Sequence, residues 1–534
     1  MSKSDSLEGP MLISGNQAVA LAALDAGASL ATGYPGTPST EILESLARLL
    51  TARPAQVRVQ WAPNEKVAME VALGAAFAKA RAMVTMKHVG LNVAADVLFT
   101  AAYTGVSGSL VIVSADDPGM ASSQNEQDNR RYALAAGVPM LEPADSQEAY
   151  DFALAAFELS GRWRTPVLLR MTTRVCHSKT VVRPRGSAAK PPPAEFTRDI
   201  QGRVMIPAYA RAAHRKLRAK LAEIAAWGET SPLHRQEQLS PELGIIASGV
   251  CYMHAREAAP QASILKLGLT YPLPLELIRR FCAGVKRCVV VEEGDPYLYE
   301  SLRAAGFAVE PLPQGARFGE LTVSRVRRLL AGEAADEPAP VQGRPPQLCV
   351  GCPHRATFEV LRKLDCIVAG DIGCYTLGVL PPFEAMDTCV CMGASVGVAL
   401  GMRHVLPPEQ ARRVVSVIGD STFVHSGITG LVEMLYNPPP TGHVLVILDN
   451  STTAMTGLQD HPGTGRSLDG EPAHAISYED LARGLGMKRV LTADPSKDRE
   501  GFEHMLRQSL ELPELTLIVV RRPCILAAAA RRKS

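Results

Sequence analysis

Two segments of this chain, 413–418 (RVVSVI) and 444–448 (VLVIL), are nearly unbroken apolar runs rich in β-branched residues, and each stops at a polar pair, Gly419-Asp420 and Asp449-Asn450. A strand that is apolar on both faces must be covered on both, and helix-wound parallel sheets do this. In such a sheet the two polar pairs open together on the carboxyl edge, where ligands bind.

The rest of the 534 residues is long enough for about three domains. Residues 10–180 alternate short apolar runs (110–113, 166–169) with Ala-rich helical stretches (66–80, 146–160), again a parallel α/β pattern. A Pro-rich linker follows at 183–196, then a basic helix near 207–228 with Leu217, Leu221, Ile224 and Trp227 on one stripe. Its Arg/Lys face reads as solvated. A second α/β segment runs from Leu243 to about Leu330, and its strand 289–291 ends in Glu292-Glu293. Another Pro-rich, acidic linker, 333–347, leads to a third unit whose strands are 414–418, 444–448 and 515–520. The predicted fold class is therefore α/β and multi-domain.

A formal net charge of +2 gives no footprint for nucleic acid, and no window reaches the ~18 apolar residues of a membrane span. With no apolar signal core at the N-terminus, a cytoplasmic protein is expected.

Asp420 and Asn450 can offer hard oxygens to one Mg²⁺, with the Thr452 carbonyl as a third ligand, and that ion suits a diphosphate because it shares the phosphate oxygens. Gly419 lets the backbone approach closely, and Ser421 follows it. Gly393-Ala394-Ser395 opens a helix over 394–402 and offers amide donors to phosphate. Read without the paired strand end, the Asp and Asn would merely cap turns.

Seven of the eleven cysteines fall at or after position 349, a clustering that points to metal or catalysis rather than disulfides in a reducing compartment. Cys349-x2-Cys352 is a metal-type pair. Cys374, at a probable strand end after Gly373, and Cys524, past the final strand, can complete a four-thiolate iron–sulfur site, with Cys389 and Cys391 as competitors. Zinc takes the same ligands. The neighbouring diphosphate motif favours iron–sulfur. Cys176, Cys251, Cys282, Cys288 and Cys366 sit in apolar surroundings and read as core thiols.

A thiamine cofactor needs a carboxylate against its pyrimidine ring, and Glu65, ahead of the helical run 67–80, is the candidate. On sequence alone it reads first as an ordinary acid at a helix N-terminus. Gly33–Ser39 (GYPGTPS) is a rigid turn in which Thr37 and free amides can hold a carboxylate, or a simple capped turn. Lys87-His88, after the strand-like 83–86, faces a cleft or the surface. His88 and His425 are candidate proton handlers or substrate contacts.

At these residues the chain resembles the large (α) subunits of the indolepyruvate branch of the 2-oxoacid:ferredoxin oxidoreductase family. The matching stretches are GYPGTPST (33–40), NEKVAMEVALGAA (64–76), MKHVGLNVAAD (86–96), LCVGCPHR (348–355), GDIGCYTLG (370–378), CMGASVG (391–397), GDSTFVHSGITGL (419–431) and LDNSTTAMTG (448–457). The resemblance implies two thiamine-diphosphate-type doubly wound sheets and a smaller transketolase-C-terminal-like domain. The expected division is 1–183 (pyrimidine-binding), 184–240 (linker and basic helix), 241–332 (transketolase-like) and 345–534 (diphosphate-binding, with the cluster ligands). It also implies that Glu65 activates thiamine diphosphate, that Asp420, Asn450 and Thr452 hold Mg²⁺, and that Thr37 faces the substrate carboxylate. Cys349, Cys352, Cys374 and Cys524 would bind a [4Fe–4S] cluster.

The implied reaction is oxidative decarboxylation of an aryl 2-oxo acid to its acyl-CoA, with coenzyme A as co-substrate. The implied partners are a smaller γ-type subunit and an electron acceptor, in a dimer of heterodimers. The family's large subunits carry a C-terminal ferredoxin-like domain with two further cluster motifs, and no such motifs follow Cys524 before Ser534. Electrons are then expected to leave through a partner. The competing readings are a non-oxidative thiamine decarboxylase or synthase with structural zinc, and an iron–sulfur electron-transfer subunit with a vestigial thiamine site.

Overall fold

The computed structural model describes residues 9–185, 189–334 and 347–531. Parts of both expected linkers, 183–196 and 333–347, lie outside the described residues. The chain forms two compact units, Met1–Val341 and Gln342–Ser534.

The first unit is built on a seven-stranded sheet in the order Leu269–Tyr271, Met140–Leu141, Val167–Thr172, Ser109–Asp116, Arg81–Lys87, Leu30–Gly33, Arg58–Trp61. All neighbours are parallel except the first pair. Ser109–Asp116 is buried along its whole length, as its apolar sequence requires. Each fully buried Val or Ile there contributes about 1.5–3 kcal/mol. Helix Ser146–Trp163 packs on strands Ser109–Asp116 and Val167–Thr172 and carries helix Gly15–Asp25. Helix Glu65–Phe77 packs on strands Leu30–Gly33 and Arg81–Lys87.

The same unit holds a five-stranded sheet, Glu310–Pro311, Arg287–Val291, Ser240–Ser248, Ala262–Leu267, Arg235–Glu237, with only the last strand antiparallel. One hydrophobic core runs from the first sheet (Val84, Ile112) through Leu217 and Leu221 to Ile246 and Val290 of the second. The basic helix, Pro207–Gly228, thus has the expected buried stripe, with Ala213 joining it. Trp227 is half-buried and meets Trp163 edge-on at 5.2 Å.

Buried ions fasten the sheets of this unit together. Arg130 donates to Asp128 Oδ2 and Glu292 Oε2, both at 2.7 Å, and to the carbonyls of Glu293 (3.0 Å) and Asp295 (2.9 Å). Arg170 donates to Asp116 (2.7 Å) and Glu142 (2.8 Å), and Glu142 also accepts from the Ser248 hydroxyl. The Glu292-Glu293 pair at the strand end is thereby accounted for: Glu292 also caps the amides of Leu298 and Tyr299, and Glu293 that of Leu321.

The second unit is a five-stranded, all-parallel sheet: Ile367–Ala369, Val414–Gly419, His443–Asp449, Leu515–Arg521, Arg489–Ala493. Successive residues alternate between two separate cores. Val415, Val417, Val444 and Val446 join one with Phe358 and Phe502, while Ile418, Leu445 and Ile447 join the other with Val396 and Phe423. Both faces are covered, as the apolar runs predict. Among the described residues no helix is long and apolar enough to cross a membrane.

Replacing Arg130 by Met leaves Asp128 and Glu292 buried without their counter-charge. The expected loss is about 3–5 kcal/mol of stability, measured by denaturant unfolding of the intact chain. An unchanged midpoint would refute the assignment of Arg130 as the charge that fastens these sheets.

Candidate functional site

In the second unit the strands Val414–Gly419 and His443–Asp449 are in register, Gly419 beside Leu448, so their polar ends coincide. Asp420 is buried and its carboxylate organises the edge. Oδ1 accepts the Ser421 amide (2.8 Å), and Oδ2 accepts the amides of Asn450 (3.1 Å) and Ser451 (2.8 Å). Burial pushes the Asp420 carboxyl up, but the His461 ring and these amides outweigh it and leave it below the ordinary value. Asn450 Oδ1 accepts the Thr452 amide (3.1 Å), and Ser421 accepts from the Thr453 hydroxyl (3.0 Å). Asp420, Asn450 and the Thr452 carbonyl present the oxygen donors that a hard divalent cation takes.

Asp449 has a different job. It accepts from Arg521 Nε at 2.7 Å and turns the chain through the Ser451 amide. Gly419 is required by packing: a Cβ there would lie 2.6 Å from the Tyr375 ring, which also covers Gly373.

The helix Ala394–Val405 begins beside this edge, but its first amides are not open as the sequence suggests. Gly393 and Ser395 donate to the Asp371 carboxylate (2.9 and 3.0 Å), and Ala394 to the Cys391 carbonyl (3.1 Å). The buried Ser395 hydroxyl lies beside the same Asp371 carboxylate, whose pKa it helps to keep from rising further. Asp371, which the sequence reading passed over, is the second half of a repeated signal, Gly-Asp at a strand end (370–371 and 419–420).

The thiols divide into two sets. Burial, then the thiols of Cys352, Cys524 and Cys349, push Cys374 up to about 11. Burial likewise raises Cys352, with Cys349 and Cys524 adding to it. Cys352 and Cys374 thus each feel the charges of Cys349 and Cys524. Cys389 and Cys391 instead feel burial, Asp371 and, for Cys389, each other's charge. Among the described residues no three His, Cys, Asp or Glu side chains converge tightly enough for a single ion.

Backbone bonds tie the first set to the strand ends, since the Cys524 amide donates to the Asn450 carbonyl at 2.9 Å. His354, two residues beyond Cys352, accepts from Asn450 Nδ2 at 3.1 Å; burial depresses its pKa to about 4. Of the remaining cysteines, Cys176, Cys251 and Cys288 are buried, while Cys282 and Cys366 are half-buried against the cores.

His425 is buried in a π-helical turn, Phe423–Gly427, with Nδ1 2.6 Å from the Ser426 hydroxyl. His461, absent from the sequence reading, is buried 3.3 Å from Asp420.

In the first unit Glu65 opens helix Glu65–Phe77, where Asn64 caps through the Val67 amide (2.9 Å). Glu65 is only 4% exposed, in the first turn of that helix. Its carboxylate lies against Gly90, where a Cβ would sit 2.6 Å from both Cγ and Oε1. His88, two residues earlier, is fully buried, its Nε2 3.1 Å from the Asn125 carbonyl and its Nδ1 without a partner; burial lowers its pKa.

Thr37 is half-buried, and its carbonyl lies 3.5 Å from the Ser122 hydroxyl. Lys87, packed beside Gly36, donates to the Ser122 carbonyl at 2.7 Å. The loop carrying Thr37 and the strand end at Lys87 thus share one neighbourhood on the carboxyl edge of this sheet.

Residues 21–203 match the family model described as pyruvate flavodoxin/ferredoxin oxidoreductase, thiamine diphosphate-binding, and residues 371–520 the model described as thiamine pyrophosphate enzyme, C-terminal TPP binding domain. The indolepyruvate oxidoreductase subunit IorA of Archaeoglobus fulgidus is 41% identical over 97% of this chain and 87% of its own length. That of Methanothermobacter marburgensis is 41% identical over 98% of this chain and 88% of its own. A solved 2-oxoglutarate:ferredoxin oxidoreductase from Magnetococcus marinus, with 2-oxoglutarate, coenzyme A and succinyl-CoA bound, has the same fold at 18% identity. Its TM-score is 0.52, covering 62% of this chain and 68% of that one. With near-full-length identity at this level and thiamine-diphosphate modules in both units, the chain belongs to the indolepyruvate oxidoreductase IorA family of 2-oxo acid oxidoreductases.

Proposed function

We propose that the chain catalyses the thiamine-diphosphate-dependent conversion of an aryl 2-oxo acid and coenzyme A to acyl-CoA, CO₂, one proton and two electrons. The electrons leave through a [4Fe–4S] cluster on Cys349, Cys352, Cys374 and Cys524. The observation that supports this reading is the bond from the Cys524 amide to the Asn450 carbonyl, which ties one of the four proposed ligands to the strand end of the diphosphate motif. Zinc takes the same ligands, and it is the neighbouring diphosphate motif that favours iron–sulfur.

When bound, thiamine diphosphate supplies the electron sink for decarboxylation, and the cluster a one-electron outlet. Asp420, Asn450 and the Thr452 carbonyl would hold Mg²⁺, and Ser421 and the Ser395 hydroxyl would line the diphosphate end. Glu65 would share a proton with the pyrimidine ring, and its burial favours that exchange over solvation. Gly90 sets where the carboxylate can lie. Thr37 and the amides of its loop would receive the substrate carboxylate, while His88 and His425 are placed in buried settings suited to moving a proton. The segments 1–183 and 345–534 are proposed as the pyrimidine-side and diphosphate-side modules, separated by the linker 184–240 and the transketolase-like segment 241–332. A smaller γ-type subunit and an electron-acceptor protein are the proposed partners, in a dimer of heterodimers.

Glu65→Gln is expected to lower turnover of indolepyruvate about 10²–10⁴-fold. Gly90→Ala, by displacing the carboxylate, should lower it at least tenfold; ligand binding to the free protein should survive both changes. Wild-type turnover in Glu65→Gln would eliminate the role. Separately, Cys374→Ser should lose iron and visible absorption after anaerobic purification, whereas Cys389→Ser should keep both. A colourless, iron-free wild-type protein that still oxidises the substrate would overturn the cluster.

A further inference from the structure

The first unit buries one lysine without an anion at its ammonium. Lys87 ends the strand Arg81–Lys87 and is only 9% exposed. Among the described residues its ammonium makes a single hydrogen bond, to the Ser122 carbonyl at 2.7 Å. An ammonium carries three donors. The carboxylate whose charge it feels is Asp117, which lies beyond ion-pair distance. That carboxylate is committed to its own loop: Oδ2 accepts the Ser122 amide (2.8 Å) and the hydroxyls of Ser122 and Ser123, and Oδ1 accepts the Thr173 hydroxyl (2.8 Å). His88, the other titratable group beside Lys87, supplies no negative charge. Lys266 of the same unit shows the contrast, because it is fully buried with Glu148 at 2.6 Å.

Two contacts place Lys87 on the loop that carries Thr37. Its stem runs along that loop, where a Cβ on Gly36 would lie 3.1 Å from Lys87 Cβ and 3.8 Å from Cδ. Its head rests on Ser122, whose hydroxyl is 3.5 Å from the Thr37 carbonyl. Three residues after Lys87, Gly90 receives the Glu65 carboxylate. The short segment 87–90 therefore touches both the Thr37 loop and Glu65.

A buried charge is costly unless it is paired, so the complement of this ammonium is an anion that enters beside Thr37. We propose that Lys87 pairs with the carboxylate of the 2-oxo acid and is the cationic member of the subsite to which Thr37 belongs. The inference rests on the function proposed above. Because this carboxylate departs as CO₂, the pair acts on substrate binding rather than on the chemical step, and its loss should raise KM and leave kcat nearly unchanged.

The test is steady-state kinetics of the intact, cofactor-loaded complex with indolepyruvate, using indole-3-propionate and its amide as competing ligands. K87M should raise KM about 10–100-fold, the loss expected for a bond between charged groups, and should abolish the preference for the acid over the amide. K87Q, which keeps a donor for the Ser122 carbonyl but no charge, should behave as K87M does. K87R, which keeps the charge, should retain the preference for the acid. If K87M fails to fold, K87Q carries the test. A wild-type complex that binds the acid no better than the amide overturns the proposal. So does an acid preference that survives in K87Q, which would make Lys87 a brace for the loop of Ser122, and so does a fall in kcat with KM unchanged. A wild-type complex that oxidises no aryl 2-oxo acid refutes the proposed function instead, and the two failures are thereby told apart.

Discussion

The second unit turns on one carboxylate. Asp420 sits where the strand Val414–Gly419 ends, and it accepts amides from its own chain (Ser421) and from the neighbouring strand's exit (Asn450, Ser451). Hydrogen bonds to a charged acceptor are each worth about 1.5–3 kcal/mol, and here they are buried. The exits of the two strands are thereby pinned side by side. Ser451 adopts a positive φ of 59° to make its bond. Asn450 and Thr452 follow directly on this turn, so their backbone is set by the same hydrogen bonds before any ligand binds.

Much of this was legible in sequence, for a reason that can be named. Runs such as 444–448 are apolar at every position, and in the fold Val444 and Val446 enter one core while Leu445 and Ile447 enter the other. A run with no polar side has no freedom about where it sits. The basic helix was legible on the same ground, because its stripe of Leu217, Leu221 and Ile224 recurs at helical spacing. Which polar groups are satisfied by the protein itself was not legible. The amides at Gly393 and Ser395 look open to phosphate until Asp371, twenty-two and twenty-four residues away, is seen to take them. Nothing local distinguishes the Gly-Asp that caps a helix from the Gly-Asp that ends at Asn450. His354 and His461 escaped for the same reason, since their partners Asn450 and Asp420 lie 96 and 41 positions away.

In the first unit the logic is one of exclusion. Glu65 is a helix-opening acid by sequence, and an exposed one would be unremarkable. The fold buries it beside a residue that has no side chain, and any other residue at position 90 would occupy the volume of its carboxylate. The same unit buries Arg130 and Arg170 among four acids, a costly arrangement unless every charge is matched. The match is made across segments far apart in the chain, Asp116 to Glu292, so this part of the core depends on the sheets being assembled together.

Asn450 shows why the thiols belong with the strand ends rather than on a separate module. Its amide is held by Asp420, its carbonyl receives the Cys524 amide, and its side chain bonds to the Thr452 amide on one side and to His354 on the other. His354 begins the helix that directly follows Cys349 and Cys352. Two of the three chain segments that carry the thiols are thus hydrogen-bonded to a single residue. Cys374 comes from the third, the turn after strand Ile367–Ala369, whose Ile372 carbonyl accepts the hydroxyl of Thr422, two residues past Asp420. A shift at the strand end therefore moves the thiols with it. In the proposed chemistry, that coupling ties the electron outlet to the diphosphate end through one backbone bond, at Cys524, and two bonds made by buried side chains, Asn450 to His354 and Thr422 to Ile372.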